Sequence, residues 1–318
     1  MEALFELFFE AAKGGDRFRI KEFLDSGDID VNYNSYRVHE GGTAFNAACA
    51  HGHLQVARLL LARGADINAK DRSGNTALHS ACYDGARQTA RFLIRRGASL
   101  EEKNDDRSTP LHLAFSNHPY EMAQLLLDNG ADVNTKDNKG NTPLHTICEG
   151  SAPRWVQSLL CQGASLEEKN RDGFTPLQIA CFNGDFAVSQ VLLEIGADLN
   201  ITDGEGGTPL HYACSNERPD IAQLLLDRGA DVNATGDTDQ TPLHHACQHG
   251  CSEVVSLLLD RGVDVEAKTK NKMTALDLAC YHNHFQVVWL LISRCPWLLL
   301  DRLSLVAETR EKKKPRLC

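Results

Sequence analysis

The sequence predicts an all-α solenoid made from one repeated helix pair. Threonine recurs at Thr43, Thr76, Thr109, Thr142, Thr175, Thr208, Thr241 and Thr274, always 33 residues apart, in seven steps without an insertion or deletion. Glycine keeps the same interval at Gly64, Gly97, Gly130, Gly163, Gly196, Gly229 and Gly262. A fixed period of this length marks stacked supersecondary units, not the two or so independent domains that 318 residues would otherwise suggest. Charged residues make up 24% of the chain and hydrophobic residues 42%, which excludes collagen, long disorder and a membrane bundle. No uncharged apolar run approaches the roughly 20 residues that a spanning helix needs.

The first element is a capping half-repeat, residues 1–35, in which Phe5, Phe8, Phe9, Phe18, Ile20, Phe23 and Leu24 fit two short helices covering one end. Glu2, Glu6 and Glu10 interrupt its apolar start, and the basic first segment of a secretory signal is missing. Residues 36–294 hold about eight repeats. In each, a threonine such as Thr142 can cap a helix through its hydroxyl, and Pro143 suits the first helical position, where no amide bond is lost. Leu144 and Ile147 then face inward. Gly184 or Gly250 ends this first helix. Where that glycine is missing, Pro119, Pro153 and Pro219 stand near the start of the second. The run Leu224, Leu225, Leu226 forms the second helix's buried side, and Gly229 ends it. Segments such as Asp71 to Gly74 make the following turn. In residues 295–307, Pro296, Trp297, Leu298, Leu299, Leu300, Leu303 and Val306 fit an amphipathic closing helix, and 308–318 form a basic tail.

Segments such as TPLHYAC and LLLDRGADVN resemble the ankyrin repeat, over about residues 36–300 with a degenerate half-repeat before them. The resemblance implies two antiparallel helices and a hairpin-like loop per repeat, stacked into a curved solenoid. It also implies that the histidine closing Thr-Pro-Leu-His or Thr-Ala-Leu-His, present as His79, His112, His145, His211 and His244, bridges neighbouring loops by hydrogen bonds. Gln178 and Asp277 stand in its place in two repeats, and Thr43 opens the most divergent version, TAFN.

The cysteines invite a disulfide or zinc reading, but their register argues otherwise. Cys49, Cys82, Cys148, Cys181, Cys214, Cys247 and Cys280 share one repeat position, which Phe115 fills in the remaining unit. Successive copies in stacked helices stand roughly 10 Å apart, beyond the Cα reach of a disulfide. Buried, a cysteine is a small hydrophobe, so these are expected to be inert packing thiols in a reducing compartment. His244, His245, Cys247, His249 and Cys251 form the densest metal-like cluster, yet no CxxC pair supports it and the repeat accounts for two of its members. No metal and no cofactor is expected. His51, His53, His282 and His284 fall where a repeat changes helices and are expected at a solvated surface.

Net charge is −10, while residues 308–318 hold five basic and two acidic side chains, so the body is more acidic still. An acidic solenoid binds phosphate poorly, which argues against direct nucleic-acid recognition. No nucleophile elbow, phosphate loop, HExxH or paired-glycine cofactor motif is present, so no enzymatic activity is expected. The resemblance implies a monomeric interaction scaffold that holds a folded protein partner on its concave side, through loop tips and first helices. Positions there that the framework leaves free give the candidate partner-binding residues: Arg72, Asn75, Tyr83, Asp106, Lys139, Phe174, Phe182, Met273 and Tyr281. Exposed aromatics and Met273 are the expected anchors, because aromatics lose little entropy on binding. Two narrower readings stand beside this one. In the first, a nuclear coregulator docks a transcription factor and enters the nucleus through Arg310, Lys312, Lys313, Lys314 and Arg316. In the second, the chain is a substrate receptor of a ubiquitin ligase, although relatives of that kind carry a longer box after the array than the 22 residues that follow Pro296. The expected location is cytoplasmic, nuclear or both.

Overall fold

A computed structural model describes residues 2–34, 41–116, 120–150 and 152–298. Among them are eighteen α-helices and no strand, and the chain divides into two compact units after Arg171. The first unit opens with α1 (Glu2–Lys13) and α2 (Arg17–Ser26). Four helix pairs follow: α3 (Ala44–Ala50) with α4 (Leu54–Ala62), α5 (Ala77–Tyr83) with α6 (Arg87–Arg95), α7 (Pro110–Ser116) with α8 (Tyr120–Asp128), and α9 (Pro143–Gly150) with α10 (Pro153–Cys161). The second unit holds α11 (Pro176–Asn183) with α12 (Phe186–Ile195), α13 (Pro209–Ser215) with α14 (Pro219–Asp227), α15 (Pro242–His249) with α16 (Ser252–Asp260), and α17 (Ala275–Tyr281) with α18 (Phe285–Arg294). The fold is an all-α repeat solenoid.

The repeated threonine sets where each first helix begins. Thr175 is extended (φ −86°, ψ 163°), and its hydroxyl accepts from the Gln178 amide one turn into α11. Pro176 then occupies the first helical position, where its missing N–H costs nothing. Within each unit, first helices pack on the first helices of adjacent pairs; second helices meet more sparsely, α2 on α4 and α6 on α8 in the first unit and α12, α14, α16 and α18 in succession in the second. Leu78, Cys82, Leu111, Phe115, Leu144, Cys148 and Val156 fill the interior of the first unit, and Leu192, Leu210, Cys214, Leu225, Leu243, Cys247 and Leu258 that of the second; all are fully buried. Each such aliphatic side chain contributes about 1.5–3 kcal/mol by leaving water. Leu225 and Leu226 are buried as expected, whereas Leu224 is only half-buried.

The aromatic-rich N-terminal segment forms two short helices, α1 and α2. Phe5 packs on Tyr33 (centroids 4.5 Å apart) and Phe8 meets Phe23 edge-on at 5.9 Å. Phe18 departs from the expectation: it is 71% exposed while Ile20 is fully buried. Two helical steps turn a side chain by about 200°, so Ile20 on the inner side of α2 leaves Phe18 on the outer. At the other end, Leu298 is buried and its amide donates to the Cys295 carbonyl at 3.1 Å. The rest of the expected closing helix, and the whole basic tail, lie outside the described residues.

Candidate partner-binding surface

The loop before each first helix is a tight hairpin closed by main-chain and Asx bonds. Asp71 and Asn75 bond N–H to carbonyl at 2.9 Å, and the Asp71 carboxylate accepts from the amides of Ser73 and Asn75. Asp137 and Asp203 repeat the device in later loops. Successive tips are joined through the backbone. The Asp105 amide donates to the Ser73 carbonyl, Asn138 to Asp106 and Arg171 to Lys139 in the first unit; Asp237 donates to Glu205 and Lys270 to Thr238 in the second. The join needs close approach: a Cβ on Gly206, whose φ is +78°, would stand 2.7 Å from the Gly236 Cα.

Beneath the tips runs a histidine ladder. His79 Nδ1 accepts from the Thr76 amide at 3.1 Å, and Nε2 donates to the Ser108 carbonyl, one repeat on, at 3.0 Å. His112, His211 and His244 reach Asn141, Gln240 and Met273 in the same way. Because Nδ1 accepts from the Thr76 amide, it carries no proton and the ring is the neutral Nε2–H tautomer, and burial pushes the His79 pKa down to about 4. Gln178 makes the same bridge with an amide, to the Gly207 carbonyl at 2.7 Å.

In the first unit Arg72, Asp106 and Lys139 stand exposed on loop tips, and Tyr83 is half exposed at the end of α5. Asn75 differs from its expected role as a position free of the framework. Its Oδ1 accepts from Asn104 Nδ2 at 2.9 Å, tying one loop to the next, as buried Asn141 does for Asn170. In the second unit Phe182 is 49% and Tyr281 75% exposed. Phe174 and Met273 were expected to be exposed and are half-buried. Phe174 lies edge-on against Tyr212 at 5.1 Å, with Phe182 against the same ring at 6.2 Å; the Met273 carbonyl receives His244. The import candidates Arg310, Lys312, Lys313, Lys314 and Arg316 lie outside the described residues.

Tyr212 is the functional candidate that sequence reasoning missed. Its hydroxyl donates to the Asp203 carboxylate beside a cleft of about 350 Å³ between two loop tips, whose walls include Glu205, His211, Asp237 and His245. Ser215 spends its hydroxyl proton on the His211 carbonyl at 2.8 Å, so the 2.8 Å contact with His245 Nδ1 makes that nitrogen the donor and leaves Nε2 an acceptor. Burial, then the neighbouring His211, His249 and His244, push the His245 pKa down to about 3. Tyr212 and His245 occupy the fourth position after the threonine, where other repeats carry Ser80, Leu113, Thr146 and Ile179; that variation was the available signal.

Of the four helix-change histidines, His51 and His282 are exposed as expected, whereas His53 and His284 are half-buried. His53 Nε2 donates to the Lys13 carbonyl at 2.9 Å with its ring against Gly15, and His284 donates to the Gln248 carbonyl at 3.0 Å with its ring against Gly250. Six cysteines of the shared position are buried, and burial pushes the thiols of Cys49 and Cys181 up to about 12. Cys280 departs from the packing role: it is exposed, because no further helix pair lies against α17 among the described residues. No group of three His, Cys, Asp or Glu side chains among the described residues is placed to hold a metal ion.

Five overlapping matches to the family described as ankyrin repeats, in sets of three copies, run from residue 7 to residue 296. The chain belongs to the ankyrin-repeat family, a protein–protein interaction module that is typically non-enzymatic. No helix among the described residues is long and apolar enough to cross a membrane.

Proposed function

We propose that the chain is a non-enzymatic scaffold that receives a folded partner on the face formed by loop tips and first helices. The observation that carries this reading is the Tyr212 cleft. It is concave and lies between two tips, and the Tyr212 ring in its wall meets half-exposed Phe182 at 6.2 Å. Its acceptors are Glu205, Asp237 and the bare Nε2 of His245, so the occupant is a hydrogen-bond-donating side chain, lysine or arginine, flanked by an apolar residue that packs on Phe182. An uncharged histidine in the wall keeps that cleft receptive at neutral pH.

A photo-crosslinking amino acid placed at Phe182, compared with one at exposed Glu194 on α12, tests the face. Partner proteins captured through Phe182, lost on Tyr212→Ala and absent from the Glu194 probe are the expected result. Equal capture from both positions, or capture indifferent to Tyr212, would overturn it.

A further inference from the structure

The second helices of the first unit carry charge differently from those of the second. In the second unit a last-turn arginine reaches back to an acid one repeat earlier: Arg228 to Glu194 at 4.0 Å, Arg261 to Asp227 at 2.6 Å and Arg294 to Asp260 at 2.7 Å. The ladder loses its acid at α4 and α6, as it does at Cys161 of α10, although Arg63 at the end of α4 still reaches back to Asp25 at 2.7 Å. The acid's position is Ala62 in α4 and Arg95 in α6, and neither helix contains an acidic residue. Arg96, which should reach back, lies against the Phe92 ring at 5.4 Å, and Arg58 of α4 lies against the same ring at 5.7 Å. Arg87, Arg91 and Arg95 are all exposed at a spacing of four, so they line one side of α6 over about 12 Å. Of these three, only Arg87 meets an acid among the described residues, Glu121 at 3.3 Å, and both of those side chains stand in solvent.

Like charges at this spacing work against the helix that carries them. The chain nevertheless concentrates five arginines here while its net charge is −10. Beside Arg87 the surface opens into a cleft of about 520 Å³ lined by Arg87, Glu121, Gln124, Arg154, Trp155 and Ser158. The Arg154 guanidinium lies 5.8 Å from the Trp155 ring centroid.

We propose that this face of the first unit docks an acidic protein segment, its carboxylates along Arg91, Arg95 and Arg96 and an apolar side chain in the Arg87–Trp155 cleft. Charge complementarity selects the occupant, since the planar guanidinium takes a carboxylate through two parallel hydrogen bonds. The length of the patch selects against a nucleic-acid strand: about 12 Å of cationic helix gives way to exposed Glu121 and Asp128 on α8, where a phosphate backbone would be repelled. The face is separate from the loop-tip surface and calls for a partner of the opposite charge.

Fluorescence anisotropy with the full chain tests it. The probe is a fluorescein-labelled oligoglutamate ending in leucine, long enough to span α6; oligoglutamine of the same length and single-stranded oligothymidylate are the comparisons. Binding of oligoglutamate should saturate, exceed that of both comparisons and weaken with salt. Arg91→Glu with Arg95→Glu should cost about tenfold or more in affinity. Lys268→Glu with Lys270→Glu, the same charge change on exposed side chains of the second unit, should leave affinity nearly unchanged. All four side chains are exposed, so an unchanged circular dichroism spectrum is expected throughout, and Arg91→Gln with Arg95→Gln repeats the test without added negative charge. No binding of oligoglutamate, equal loss in the two charge-reversed variants, or tighter binding of oligothymidylate would each overturn the proposal.

Discussion

His79 shows what one side chain contributes to the whole array. Its ring is neutral in the folded chain because burial lowers its pKa to about 4, whereas in the unfolded chain it titrates near 6.5. Between those values the unfolded state binds more protons, so stability is full above about pH 6.5 and falls as pH drops toward 4. For His79 alone the loss approaches about 3 kcal/mol at the acid end; His112, His211 and His244 are shifted in the same direction by burial. Urea midpoints at pH 7.5, 6 and 5 should therefore fall, and His79→Gln, which copies the native bridge of Gln178, should make the fall shallower. A midpoint independent of pH would contradict the neutral ladder. Cysteines allow a second check at this scale. Cys161 and Cys280 are exposed, while Cys49 and Cys181 are buried with raised pKa values. Iodoacetamide should label the first two in the native chain and reach the others only on unfolding, which peptide mass spectrometry resolves site by site.

At the scale of elements, the N-terminal helices and the loops separate packing from conformation. Phe8 on α1 is fully buried and Phe18 on α2 is 71% exposed. Phe8→Ala should cost about 3–5 kcal/mol and Phe18→Ala about 0.5 kcal/mol or less, measured by denaturant unfolding. The sequence shows two aromatic-rich helices here but not which way each ring points, because that depends on how α2 rotates against α1. Gly206 and Gly64 make a comparable pair: both have positive φ, but a Cβ on Gly206 meets the next loop's backbone at 2.7 Å and one on Gly64 meets nothing within 4 Å. Gly64→Ala should therefore cost only the left-handed strain, about 1 kcal/mol, and Gly206→Ala clearly more. Similar losses at both sites would mean that the loops can move apart.

Across the molecule, adjacent-pair packing predicts that unfolding does not follow a single all-or-none transition. Trp155 is 8% exposed, Trp297 48% and Trp289 73%, so a change in tryptophan emission on unfolding reports chiefly the surroundings of α10, with a smaller part from Trp297. Circular dichroism reports every helix, and the two urea transitions should not overlay. Much of this fold was legible in the sequence, because the period fixes the threonine caps, the leucines of each interior and the place of every loop. What the period could not reveal is where a copy breaks the rule. Asn75 reads as a variable site yet ties two loops, His53 and His284 read as surface yet bridge turns, and Tyr212 sits in a column that no repeat average singles out. Arg95 is the clearest case: its meaning comes from the acid that Asp128, Glu194, Asp227 and Asp260 supply at that position in other repeats.

The bonds that join one loop tip to the next run between main-chain atoms, Asp105 to Ser73, Asn138 to Asp106 and Arg171 to Lys139. Arg72 and Lys139 can therefore be exchanged for other residues while the hinge points of the framework stay intact. Such a surface works like movable type: the frame holds each slot at a fixed spacing whatever letter is set in it. New partner specificities can then arise one tip at a time, each tried without refolding the rest.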